Sequence, residues 1–279
     1  MPVHDRGYRR YAGHRVAGGR AWFVIARSGV RTMLGRRWFV ALLLLAWLPF
    51  LVRTVQIYAA TNLPQVQFLA PTVDTFRQFL GQQGVFLFFV TVYAGAGLIA
   101  NDRRANALQL YLSRPLTRTE YVVGKLATLL AFLLLVTWVP AMLLLVVQVL
   151  FAGNFVFLRA NLHLVPSITL FAFVEALVFG MAMLALSSLS RSSRYVGILY
   201  AGLLFFTQAI TVVLRVVTGH SRLAWLSLTN SLEQLGNALF RLPARYDAPL
   251  LLCVLTIVVV AVASGLVIER RVRGVEVMT

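Results

Sequence analysis

Long apolar runs separated by short basic clusters dominate the chain. A helix needs about 20 apolar residues to cross roughly 30 Å of hydrocarbon. Six runs qualify, at 38–58, 80–100, 126–149, 166–189, 195–217 and 248–268. The second, third and sixth carry no charge; the first contains Arg53, the fourth Glu175 and the fifth Arg215. The runs are long and lack turn clusters. Barrel strands would be about ten residues long and would alternate polar with apolar positions. The pattern therefore predicts an all-α integral membrane fold of six transmembrane helices. Residues 38–268 form the membrane domain, 1–37 a tail plus an amphipathic N-terminal interfacial helix, and 269–279 a second tail.

The interfacial helix is read from 21–37. Arg20, Arg27 and Arg31 fall on one face, and Trp22, Ala26, Val30, Met33 and Leu34 on the other. A basic helix with aromatic anchors suits the headgroup region, with Arg against anionic lipid. It either only anchors the first span or also docks a partner. On the opposite side of the membrane, 73–80 and 218–247 are too apolar for solvated loops. They are expected to be short helices that dip into the bilayer or cap the bundle.

Composition strengthens the membrane reading. Hydrophobic residues make up 59% and charged residues 13%, against about 25% charged in soluble domains. The net charge of +17 would suggest nucleic acid in a soluble protein. Here the charges sit between apolar runs, so no nucleic-acid partner is expected. Nineteen of the 26 basic residues lie in the N-terminal tail, the second and fourth connections and the C-terminal tail. The positive-inside rule then puts both termini in the cytoplasm. A cleaved signal peptide is not expected, because the first apolar run starts only near residue 38.

Residues 99–126 carry the most information. Asp102, Arg103 and Arg104 mark the exit from the second span. A short helix over 105–112 would place Leu108 and Leu112 on one face. Pro115 ends it. Thr117 with Glu120 three residues on makes a capping box for the next helix, and Gly124 and Lys125 lead into the third span. The expected product is a charged helix–turn–helix element at the cytoplasmic surface.

This stretch resembles the cytoplasmic element of type-2 ABC exporter permeases. That family shows an acid–Arg pair, Gly-Thr, a leucine-rich turn, Pro-x-Ser/Thr-Arg-x-Glu and Gly-Lys. Asp102-Arg103, then Leu108, Leu110 and Leu112, then Pro115, Thr117, Arg118 and Glu120, then Gly124-Lys125 match in turn. Asn106-Ala107 stands where Gly-Thr is usual. Residues 225–242 also look like the family's outer segment before its sixth span.

The resemblance implies an inner-membrane export permease. It would dock a separate ATPase subunit through 101–125 and enclose a pathway with a second permease, identical or related. ATP would sit on the partner. The chain has no G-x-x-x-x-G-K-[ST] loop, since Gly124-Lys125 lacks both the upstream glycine and the following Ser/Thr. An ion-gradient-driven transporter and a non-transporting membrane scaffold are the alternatives.

Single residues add little catalytic chemistry. Glu175 is the one acid well inside a span, about 13 Å from its start at Pro166 at 1.5 Å per residue. It lines a substrate pathway, relays protons, or is a structural residue that is either neutral or paired with an arginine such as Arg215. Cys253 reads as packing, and Pro49 and Pro140 as helix kinks. Gly95 and Gly97 allow close helix contact. The histidines are scattered, and the serines at 187–193 have no paired base. No catalytic residue, cofactor or metal site is expected on this chain.

Overall fold

Proline and competing side chains interrupt three of the six long helices. The computed structural model describes residues 21–63, 70–105 and 117–272. All its regular elements among these residues are helical. After α1 (Ala21–Leu34), the first span is α2 (Arg37–Ala46) followed by α3 (Leu48–Asn62). Pro49 sits in the first turn of α3, where its missing N–H costs least. The Ala46 carbonyl at the break accepts from Gln83 Nε2 at 3.2 Å.

The second span starts at α4 (Val73–Val90), passes through a π-helical turn (Thr91–Gly95), and ends in α5 (Ala100–Arg104). The outer segment 73–80 is thus the first two turns of the span rather than a separate dip. A capping box of Thr72 and Thr75 starts the helix there. Between the π turn and α5 the ladder is broken, and Ser187 repairs it. Its Oγ accepts from Ile99 N at 3.1 Å and Ala100 N at 3.0 Å, and donates to Ala96 O at 2.9 Å.

The third span is α6 (Arg118–Val136) and α7 (Trp138–Ala152), broken at Thr137 three residues before Pro140. The Thr137 hydroxyl donates to Leu133 O at 2.9 Å. Short α8 (Val156–Ala160) leads to the fourth span, α9 (Leu164–Leu189), and then to the fifth, α10 (Ser193–Thr218). A 3₁₀ turn (Ala224–Leu226) and α11 (Leu228–Leu239) precede the sixth span, α12 (Leu250–Arg271). All six stretches are long and apolar enough to cross a membrane.

Burial separates the centre from the rim. In span four 67% of the apolar window is buried, against 17% in span one and 22% each in spans five and six. Met183, Ala176, Leu129, Phe132 and Tyr200 belong to one continuous core that also takes in Phe39 of span one, Val90 of span two and Ile257 of span six. Exposed side chains such as Leu44, Phe206 and Val259 cover the peripheral spans. In water that surface would drive aggregation; in a bilayer it meets acyl chains.

Helix α1 packs along α6. A Cβ at Gly124 would lie 2.8 Å from Ile25 Cβ and 2.9 Å from the Trp22 carbonyl oxygen. Only glycine permits so close a crossing. The packed face is Ile25, Ala26, Val30 and Met33, while Trp22 and Leu34 are exposed. The expected stripe is therefore rotated, because the contact with α6 takes the side that a free amphipathic helix would turn to lipid. Gly95 is likewise used inside the subunit, against Met183 and Leu129.

Candidate functional site

Two places gather polar chemistry. The first lies where spans two, three and four end together. The Thr117 box forms as its spacing demands: Glu120 N donates to Thr117 Oγ1 at 3.2 Å, and Thr117 N to Glu120 Oε2 at 3.0 Å. That cap starts α6 and fixes Tyr121 one turn into it. The Tyr121 hydroxyl donates to Asp102 Oδ2 at 2.7 Å, and Lys125 Nζ pairs with the same oxygen at 2.7 Å. The two charged side chains are only 19% and 14% exposed, so the pair sits between spans two and three.

Arg103 donates to the carbonyl of Ser188. A cation there satisfies an orphan acceptor in the last turn of α9 and meets the negative end of its dipole. Asp102, Arg103 and Lys125 thus tie three spans to one another. Arg104 and Arg118 are exposed, on either side of the segment 106–116. Leu108, Leu112 and Pro115 lie outside the described residues.

The second place is a cavity of about 580 Å³ between spans two, four and five and α11. Its walls are apolar and aromatic, with Phe88, Phe171 and Phe179 among them. One part is charged. On α4 the series Arg77, Gly81, Gly84 and Phe88 faces the cavity, a spacing of four, three and four that defines one helix face. The glycines leave room beside the arginine. Glu175 lines the same cavity, is 6% exposed, and its Oε2 meets no hydrogen-bond partner among the described residues.

Arg77 is held from several sides. Nη2 donates to Glu233 O at 3.3 Å, and the guanidinium lies 4.7 Å over the Phe171 ring. A Cβ at Gly236 would come 2.5 Å from Arg77 Nε, so α11 needs glycine there to admit the side chain. The cation that shares Glu175's surroundings is Arg77, while Arg215 lines a different, small pocket. The anticipated partnership with Arg215 is not the one formed, since Arg215 sits on another face of the bundle. Neither is there a direct ion pair with Arg77; among the described residues the ion pairs are Lys125 with Asp102 and Arg245 with Glu233.

The cavity's Glu233 continues into a polar network over α11. Its Oε1 accepts from Arg245 and its Oε2 from the Tyr246 hydroxyl at 2.8 Å. Burial first, then the hydrogen bond to this carboxylate, push the Tyr246 phenol up to about 12. Nearby, hydrogen bonds from the Ser221 hydroxyl and amide hold Asp247 below the usual carboxylate range. Arg77, Glu233 and Tyr246 were not anticipated from sequence. The one available signal was Arg77 with small residues four and seven positions on.

A family model described as ABC-2 family transporter protein matches residues 23–271, nearly the whole described chain. The chain belongs to that family. It is a membrane component of an ATP-binding-cassette transporter, and membership implies an ATPase partner in the complex. No curated protein matches the chain significantly. The described residues of this ABC-2 chain thus present a tied bundle end and an internal cavity.

Proposed function

We propose that the chain is the export permease of an ATP-driven transporter in the inner membrane, with both termini cytoplasmic. It works with a second permease subunit and engages a separate ATPase through 101–125. The cavity that holds Glu175 belongs to the transport path. The supporting observation is the tie among spans two, three and four through Asp102, Lys125, Tyr121 and Arg103. A force on the segment beside it moves these spans together, because their ends are bonded to one another and not only packed.

The exposed arginines are the docking contacts to test. Arg104→Glu with Arg118→Glu reverses charge without touching the internal pair or the helix cap. An ATPase subunit should co-purify with wild type in mild detergent and be lost from the double variant. If no ATPase associates with wild type, the ATP-driven assignment fails. Glu175 in the cavity favours one second reading, proton-coupled transport. Glu175→Gln with full, undiminished transport removes it.

A further inference from the structure

The cavity holds two oppositely charged side chain types that make no direct ion pair with each other. Arg77 and Glu175 both line it, both are 6% exposed, and they form no direct ion pair. Each is left with unused bonding capacity. Glu175 Oε2 has no partner, and the guanidinium makes a single hydrogen bond, through Nη2, among the described residues. Buried charged groups are usually paired. Two such groups facing one space define the complement of that space, an acid and an ammonium carried by one molecule.

We propose that this cavity binds a single-chain zwitterionic amphiphile. Its ammonium lies at Glu175, its acidic group at Arg77, and its apolar chain along the phenylalanine walls. The inference rests on the reading of the cavity as part of the transport path.

Charge excludes the simpler ligands. A purely cationic amphiphile would meet Arg77, and a purely anionic one would meet Glu175, and like charges brought together disfavour binding. Glu233 does not alter this balance, since Arg245 and Tyr246 already occupy its carboxylate. Size and access fit as well. About 580 Å³ lies within the roughly 300–1,000 Å³ of small-molecule sites. Val85, Phe89 and Phe205 at the rim are exposed by 59%, 52% and 63%. The cavity therefore opens through the apolar surface between spans two and five, the side from which a bilayer-dissolved amphiphile enters.

Native mass spectrometry of the purified protein in neutral detergent tests this. The probes are lysophosphatidylethanolamine (zwitterionic), lysophosphatidylglycerol (anionic) and dodecylamine (cationic). Wild type should retain the zwitterion about tenfold better than either singly charged probe, a difference of about 1.4 kcal/mol. Glu175→Gln should erase the preference over the anionic probe, and Arg77→Gln the preference over the amine. These opposite changes are what a merely structural role would not give. If Arg77→Gln does not fold, Glu175→Gln decides alone.

Equal retention of all three probes by wild type overturns the proposal. So does a uniform loss of all three in the Glu175 variant. A lysolipid extracted from unsupplemented protein identifies the bilayer as the source. Protein that purifies empty and takes up the added zwitterion identifies the transported pool instead. ATPase capture by wild type is scored separately. Its absence sinks the permease reading and leaves the binding result standing, whereas capture without zwitterion preference sinks only the ligand.

Discussion

Gly236 determines whether Arg77 can lie against α11. An added methyl would press on Arg77 Nε at 2.5 Å and on Phe171 Cε2 at 2.8 Å, and both belong to the charged end of the cavity. Overpacking of this kind costs about 1–3 kcal/mol. Gly236→Ala should therefore lower the thermal unfolding midpoint in detergent, and a more stable variant would mean that Arg77 has another rotamer at hand. Tyr246 gives a pH test. Its folded phenol is raised to about 12 from about 10 in an unfolded chain. The fold thus prefers the protonated form. Its contribution is complete below pH 10 and disappears as pH rises through about 12. An ultraviolet difference titration of wild type against Tyr246→Phe should place the missing phenol near 12, and a midpoint near 10 would show that the phenol is neither buried nor bonded to Glu233.

At the scale of elements, the breaks in spans one and two are repaired by side chains from neighbouring spans. A bilayer supplies no water to an exposed amide, so each break needs a protein partner. Ser187 supplies three bonds to one break. Ser187→Ala leaves two buried amides without an acceptor, and an unsatisfied buried group costs about 1–3 kcal/mol. We expect a destabilisation of at least about 2 kcal/mol in reversible unfolding, together with faster hydrogen exchange at 99–100. Unchanged exchange there would show that the backbone finds other partners. The same logic explains why α1 lies on α6. Once Gly124 lets the helices meet, the packed face is set by that contact and not by the apolar stripe alone.

The whole molecule shows a charge asymmetry that maps to orientation. Cytoplasmic placement of the basic connections predicts accessibility from one side only. In a Cys253→Ser background, a cysteine at Arg222 should react with a membrane-impermeant maleimide in intact cells. A cysteine at Arg191 should react only after permeabilisation. The reverse pattern would invert the topology and detach 101–125 from any cytoplasmic ATPase. Arg77 and Arg245 show why counting charges is not enough. One is buried in the cavity and the other is exposed on the Glu233 network, yet both add equally to the count.

The apolar runs by themselves specify six spanning helices, because helix rise and hydrocarbon thickness are fixed quantities and charge is costly inside the bilayer. The Thr117 and Glu120 spacing similarly specifies the start of α6, since a capping box is satisfied within four residues. Glu175 stood out because acids are rare at that depth. Its surroundings were not legible. Arg77 lies 98 positions earlier in the chain, and no local rule brings α4, α9 and α11 around one cavity. The pairing of Asp102 with Lys125 was hidden for the same reason. Sequence presents both as surface charges beside a docking motif, while only the meeting of spans two and three turns them toward each other. Local hydrogen bonding and burial length act within a few turns of chain, whereas partner choice among charges depends on distances that packing alone creates.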